Sequence, residues 1–172
     1  WRAARAASGK FLLRIEDIDS ARCKPEFTEA ILEDLAWLGI DWNGDVREQS
    51  EHFADYEVAL DKLDVLGVIY PCFCTRAEIA AEIARAGDAP QGEEGPVYPG
   101  TCRKLSREER ARRAAAGESF ALRLDIARAL ESTGDLSWED EARGHVTAEP
   151  DLLGDVVLAR KDTPTSYHLA VT

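Results

Sequence analysis

The run Phe11-Leu-Leu-Arg-Ile15 follows Ser8-Gly9 and ends in Glu16, Asp17 and Asp19. It is too short for a helix and apolar enough for a buried strand, and it delivers three acids at its carboxyl end. Open α/β sheets place their ligands at such strand ends, so the expected class is α/β. From Pro25 to Leu38 the apolar positions Phe27, Ile31, Leu32, Leu35 and Leu38 recur at helical spacing, and Gly39 follows as a cap. After the loop Asp41 to Asp45, a second helix opens near Ser50 and carries Phe53, Tyr56, Leu60, Leu63 and Leu66 before Gly67. Thr75-Arg-Ala-Glu78 and Ser106-Arg-Glu-Glu109 have the form of capping boxes, which predicts helices from there to near Gly87 and Gly117. The Gly-, Pro- and Glu-rich stretch Gly87 to Gly100 reads as a loop. Phe120 to Ile126 and Leu152 to Leu158 read as strands, and Thr165 to Thr172 as the entry to a strand or helix.

At 172 residues and 45% hydrophobic composition, the chain suits one core, or one core with a small appended subdomain. No apolar run approaches the roughly 20 residues that span a bilayer, and Trp1 to Ser8 lacks the apolar centre of a secretory signal. A cytoplasmic location, away from membranes, is therefore expected. The sequence contains no methionine, so the chain is not expected to begin where its gene does. With 21 basic residues against 33 acidic ones, net −12, it is not built to hold nucleic acid by bulk charge. Positive charge gathers at Arg2, Arg5, Lys10 and Arg14, and again at Arg103, Lys104, Arg107, Arg110, Arg112 and Arg113. Each such residue reads first as part of a solvated helix face.

Three of the four cysteines lie at Cys72, Cys74 and Cys102, while Cys23 stands alone. In a chain without secretion signals this clustering favours a metal over a disulfide. Thiolates suit the tetrahedral coordination of zinc, but three are one short of a closed site. Tyr98, Cys23, a histidine or a carboxylate can each supply the fourth ligand. The plainer reading makes Cys72 and Cys74 small buried residues beside Pro71. Zinc closed by four protein ligands would be structural and would pin the Gly87 to Gly100 stretch at both ends.

Among the acids, Glu16 stands apart, because alternation from Phe11 through Leu13 and Ile15 sets it on the opposite face. An acid there can accept an ammonium group or bind Mg²⁺. Asp17 and Asp19 read as solvated acids, with Asp19 or Ser20 capping a turn. Tyr167 reads on its own as a packing residue, and His168 has no base or nucleophile paired with it in the sequence.

Taken in order, Phe11 to Asp19, Trp37-Leu-Gly-Ile-Asp-Trp42, Gln49-Ser50, Tyr70-Pro-Cys-Phe-Cys-Thr-Arg76, Tyr98-Pro-Gly-Thr-Cys-Arg103 and Tyr167-His-Leu-Ala-Val171 resemble the glutamyl-Q tRNA(Asp) synthetases. These are truncated paralogues of glutamyl-tRNA synthetase, of class I, that lack an anticodon-binding domain. The resemblance implies part of a Rossmann-type catalytic domain over 1–70, a helical and looped zinc-binding insertion over 71–117, and a return to the catalytic domain over 118–172. It assigns Cys72, Cys74, Tyr98 and Cys102 as zinc ligands, and Glu16 and Tyr167 as residues that bind L-glutamate. Val171 stands where a discriminating glutamyl-tRNA synthetase is expected to have asparagine.

The implied reaction activates glutamate with ATP and Mg²⁺ and moves the glutamyl group to queuosine in the anticodon loop of tRNA(Asp). A monomer is expected. The family's HIGH-like and KMSKS-like segments have no counterpart in these residues, so no catalytic residue is assigned and the 172-residue chain by itself is expected not to activate glutamate. Two rival readings are a piece of a discriminating glutamyl-tRNA synthetase, and a zinc-stabilised module without catalysis that binds RNA through Arg103 to Arg113 or binds a protein partner.

Overall fold

The computed structural model describes residues 1–86, 91–92 and 95–172. Two units emerge, Trp1–Tyr56 and Glu57–Thr172.

The first unit contains α1 (Arg2–Ala6), β1 (Arg14–Ile15), α2 (Pro25–Trp37) and β2 (Arg47–Glu48), then a 3₁₀ turn at Gln49–His52 that leads into α3 (Phe53–Val65). Only the last two residues of the expected strand Phe11–Ile15 form a ladder, parallel to β2, with Arg14 opposite Arg47 and Ile15 opposite Glu48. The earlier part is held differently. Phe11 N–H donates to Asn43 Oδ1 at 3.0 Å, and Asn43 and Arg47 donate back to the Phe11 and Leu13 carbonyls at 2.8 and 3.1 Å. A loop rather than a strand thus lies alongside it, and the ladder is short because its partner strand has only two residues. The helix expected from Pro25 is present. Pro25 occupies its first turn, where a missing N–H costs nothing, and Gly39 leaves it at φ +69.

In the second unit, β3 (Ile69–Cys72) is followed by α4 (Arg76–Ala86), a hairpin of β4 (Gln91–Gly92) and β5 (Gly95–Pro96), and a 3₁₀ turn at Cys102–Lys104. Then come α5 (Arg107–Ala115), β6 (Ala121–Leu124), α6 (Ile126–Thr133), the hairpin β7 (Ser137–Asp140) with β8 (Gly144–Thr147), β9 (Val157–Ala159) and α7 (Tyr167–Ala170). The central sheet has the order β3-β6-β9 and is antiparallel throughout. Pro71, opposite Leu122, is tolerated because β3 is an edge strand. Tyr70, Cys72, Phe73, Tyr98 and Cys102 pack into one buried cluster on this unit. No helix among the described residues is long and apolar enough to cross a membrane.

Thr75 and Glu78 close the expected capping box: Thr75 N–H donates to Glu78 Oε2 at 2.6 Å, and Glu78 N–H to Thr75 Oγ1 at 3.2 Å. Those backbone and hydroxyl donors hold the Glu78 carboxyl below the usual glutamate range. Replacing Thr75 by alanine is expected to cost about 1 kcal/mol, read as a fall in the denaturant midpoint without a change in slope. The second box is half made. Ser106 Oγ accepts from Glu109 N–H at 3.1 Å, while the Glu109 carboxylate turns to Arg112 instead. The helix end expected near Gly87 lies outside the described residues, as do Gly87 to Pro90 and Glu93–Glu94 of the expected loop, which elsewhere carries the β4–β5 hairpin.

Two expectations are corrected here. Leu152 to Leu158 is not one strand: a 3₁₀ turn occupies Pro150–Leu152, Gly154 turns the chain at φ +64, and β9 starts only at Val157. Phe120 to Ile126 ends as a strand at Leu124, because the Asp125 side chain accepts from Arg128 N–H at 3.3 Å and starts α6. Both α6 and the β7–β8 hairpin were missed. The hairpin is largely exposed and charged, so it lacks an apolar period, and its turn rests on Asp140, which accepts from the N–H groups of Ala142 and Arg143 at 2.9 and 2.8 Å.

Candidate functional site

The end of β3 brings Cys72 into the core, and the buried Phe73 and half-buried Cys74 then lead the chain into the capping box of α4. Tyr98 and the turn at Gly100, with φ +75, return the chain so that Cys102 opens a 3₁₀ turn beside them. Cys72 and Cys102 are each 1% exposed. The Cys72, Cys74 and Cys102 sulfurs all lie within 4.8 Å of one another, with Cys74 and Cys102 Sγ at 3.4 Å.

Of the possible fourth ligands, Tyr98 is the one at this cluster among the described residues. Its hydroxyl oxygen accepts from Cys72 Sγ at 3.4 Å and from Cys102 N–H at 2.9 Å, and lies 3.8 Å from Cys74 Sγ. Cys23 belongs to the first unit, its Sγ 3.9 Å from the Glu16 carbonyl.

Burial pushes the Cys74 thiol up to about 12 and keeps the Tyr98 phenol well above its ordinary value. At Cys102 burial also acts upward, but the Phe73 N–H, which donates to its sulfur at 3.4 Å, and the neighbouring Cys74 and Tyr98 donors outweigh it and lower the thiol. The acidity of one sulfur is thus raised by its donors, with the other two gathered around it. Zinc–sulfur bonds of about 2.3 Å in a tetrahedron place sulfurs about 3.8 Å apart. The donor set and its spacing fit such an ion.

Behind the thiols lies a group that inspection of the sequence did not single out. Asp155, 4% exposed, accepts from Tyr70 Oη at 2.5 Å, from Arg103 Nη1 at 3.1 and 3.0 Å, and from Ile126 N–H at 3.2 Å. Arg123 donates to the Asp155 carbonyl at 2.6 Å and lays its guanidinium 3.9 Å from the Tyr98 ring centre. A lone acid within the apolar stretch 152–158 was the available signal.

The basic island is also spent partly inside the unit rather than wholly on a solvated face. Arg103 pairs with Asp155, Arg110 lies 5.3 Å from the Tyr70 ring centre, and Arg113 lies 4.3 Å from that of Phe73.

A cavity of about 1080 Å³ opens beside the cluster, lined by Cys72, Cys74 and Tyr98 at one part and by Ser166, Tyr167 and His168 at another. The structure therefore brings Tyr167, which is 59% exposed, to the same cavity as the thiols. Glu16 follows β1 in the first unit, where its carboxylate accepts from Arg14 at 3.0 Å. Its neighbours have local partners. Asp17 accepts from Ser50 N–H and Oγ at 2.8 and 2.5 Å, and Asp19 accepts from Arg22, which holds its carboxyl below the usual range.

Residues 1–172 match the family described as tRNA synthetases class I (E and Q), catalytic domain. The chain is 45% identical over 174 residues to a glutamyl-Q tRNA(Asp) synthetase of Rhodobacter capsulatus, an alignment that covers 98% of this chain and 61% of that protein. It is 38% identical to a glutamate–tRNA ligase of Coprothermobacter proteolyticus, across 98% of this chain and 35% of that one. Among solved structures, a glutamate tRNA ligase from Elizabethkingia meningosepticum in complex with its amino acid superposes with a TM-score of 0.74 at 25% identity, covering 98% of this chain and 35% of that one. The chain thus spans about three-fifths of the first relative and about a third of the other two. On the match across all 172 residues, the chain belongs to the class I tRNA synthetases of the E and Q type and matches their catalytic domain.

Proposed function

We propose that the whole protein containing these 172 residues activates L-glutamate with ATP and Mg²⁺ and transfers the glutamyl group to queuosine in tRNA(Asp), as a cytoplasmic monomer. The observation that carries the reading is the three-thiol cluster with Tyr98 at its centre, in a chain whose high-identity relatives include glutamyl-Q tRNA(Asp) synthetases. In this reading residues 71–117 form a zinc-binding insertion between catalytic-domain segments 1–70 and 118–172. Cys72, Cys74, Tyr98 and Cys102 hold zinc, which ties the exit of β3 to the turn at Cys102 and takes no part in the chemistry. Glu16 accepts hydrogen bonds from the substrate ammonium, and the Tyr167 phenol adds an oriented hydrogen bond. Attack of the glutamate carboxylate on the α-phosphate of ATP forms glutamyl adenylate and releases pyrophosphate. A hydroxyl of the modified base then attacks the activated acyl carbon and loses its proton, and AMP leaves.

A second reading, transfer to tRNA(Glu), is supported by the glutamate–tRNA ligases among the relatives. Labelled glutamate with ATP and purified tRNAs separates the two. Incorporation into tRNA(Asp) bearing queuosine, and not into tRNA(Asp) with guanosine at that position or into tRNA(Glu), is the expected result. Charging of tRNA(Glu) alone establishes the second reading in place of the first.

A further inference from the structure

Glu16, the residue assigned above to the substrate ammonium, is the first residue beyond the β1 ladder. That ladder pairs Arg14 with Arg47 and Ile15 with Glu48, and then stops. The next tie keeps the same register but changes its chemistry. Asp17 Oδ1 accepts from Ser50 N–H at 2.8 Å and Asp17 Oδ2 accepts from Ser50 Oγ at 2.5 Å, across the same 33 positions of sequence. A side chain thus continues the pairing where the backbone ends it. Ser50 lies in the 3₁₀ turn Gln49–His52 that follows β2 directly, and Gln49, between the two ties, is 1% exposed.

Glu16 is therefore fixed from both sides. The buried Ile15 holds the residue before it in the ladder, and the Asp17 carboxylate clasps the residue after it to the turn. The Glu16 side chain itself stays 44% exposed, with Arg14 at 3.0 Å, so the backbone that carries it governs where its carboxylate points. Hydrogen bonds to an ionised carboxylate are stronger than those between neutral groups, and two of them on one carboxylate hold its backbone firmly. A binding group acts at full strength only when it is held within about 0.5 Å of its productive place.

We propose that Asp17 and Ser50 are positioning residues for Glu16: their clasp aims the Glu16 carboxylate at the substrate ammonium, so that the site selects an amino acid over the same dicarboxylate without its amino group. The inference rests on the role of Glu16 proposed above, and assigns the selection to two residues that need not touch the substrate. The Asp17 carboxylate is spent on Ser50, not on the ligand. A clasp that only stabilised the fold would, when lost, weaken both ligands alike. Loss of a positioned carboxylate weakens only the ligand that carries the ammonium.

Equilibrium dialysis of the whole protein with labelled L-glutamate and with labelled glutarate, which lacks the amino group, gives the ratio of the two affinities. The parent is compared with Glu16→Gln, Asp17→Ala, Ser50→Ala, Ser50→Thr, and Glu29→Gln as an exposed acid of α2. Asp17→Ala is expected to lower the ratio about tenfold through weaker glutamate binding alone, since small misplacements of a binding group cost up to about 10²-fold. Ser50→Ala, which keeps the N–H, is expected to lower it about threefold. Ser50→Thr keeps the hydroxyl and is expected to keep the parental ratio, as is Glu29→Gln. Thermal melting shows which variants are folded, and Ser50→Ala carries the test where Asp17→Ala does not fold. A parental ratio in the folded clasp variants, or an equal loss for both ligands, overturns the clasp, while a lowered ratio in Glu16→Gln leaves the glutamate site standing. If Glu16→Gln itself keeps the parental ratio, or the parent binds no glutamate, the role of Glu16 falls and the clasp with it.

Discussion

Replacement of Cys102 by serine is expected to strip the protein of tightly bound zinc. Cys102 is 1% exposed, touches Cys74 Sγ at 3.4 Å, and is the thiol that the Phe73 N–H, donating to its sulfur, helps to lower. Structural zinc sites contribute about 10–16 kcal/mol at neutral pH, so an even share among four ligands gives about 2.5–4 kcal/mol for one. That corresponds to a loss of about 10² to 10³ in affinity. Competition with a chromophoric chelator measures it directly, and elemental analysis should find one zinc per parent chain. Cys23→Ser provides the control, because Cys23 sits in the first unit beside Glu16, and it should leave the affinity unchanged. A parent protein that takes up no zinc, or a Cys102→Ser variant with parental affinity, removes Cys102 from the ligand set. In that case the cluster is the plain core of small buried residues that cysteines often form.

The second large effect is expected at Asp155. Truncation to alanine leaves Tyr70 Oη, Arg103 and the Ile126 N–H without the acceptor they share, beneath a surface that is almost closed. Burial, reinforced by the hydrogen bond to Asp155, pushes the Tyr70 phenol far above its ordinary value, so it stays a proton donor and cannot compensate as an acceptor anion. Removing one partner of a buried charge pair costs about 3–5 kcal/mol. Arg103 remains partly solvated, its side chain 39% exposed, which favours the lower end. About 3 kcal/mol corresponds to a fall in melting temperature of roughly 6–12 °C for a chain of this size. Asp155→Asn is expected to lose less, because an amide oxygen still accepts two of these bonds. A melting temperature within about 2 °C of the parent for Asp155→Ala contradicts the role assigned to the network.

Elements whose cause is local were legible in the sequence. Pro25 starts α2 and Gly39 ends it, and Thr75 with Glu78 starts α4, because a fixed φ, a positive φ and a reciprocal cap each act within one helical turn. Gly67 and Gly117 follow the ends of α3 and α5 for the same reason, at φ +70 and +79. Strand boundaries were read less well. The run Phe11–Ile15 is apolar apart from Arg14, yet only Arg14 and Ile15 find a strand beside them, and that depends on residues more than thirty positions away. The stretch 152–158 failed likewise, broken by Gly154 at φ +64 although the leucines and valines on either side read as one apolar run.

The donor types at the candidate metal site were explicit in Cys72, Cys74 and Cys102, since only a few side chains can hold such an ion. The sequence alone left the fourth donor open among Tyr98, Cys23, histidines and acids, and the resemblance singled out Tyr98. The fold brings its hydroxyl to 3.4 Å from Cys72 Sγ, because β3 and the turn at Gly100 bring two distant stretches together. The local mark of Asp155 was only that of a lone acid in an apolar stretch: Tyr70, Arg103 and Ile126 come from β3, a 3₁₀ turn and α6, and only packing makes one carboxylate their common acceptor. What the chain settled by itself was chemistry within a turn or two, governed by backbone angles and side-chain type. Burial, charge pairing and the shape of the cavity were decided by tertiary structure, because desolvation and Coulomb energy depend on neighbours in space.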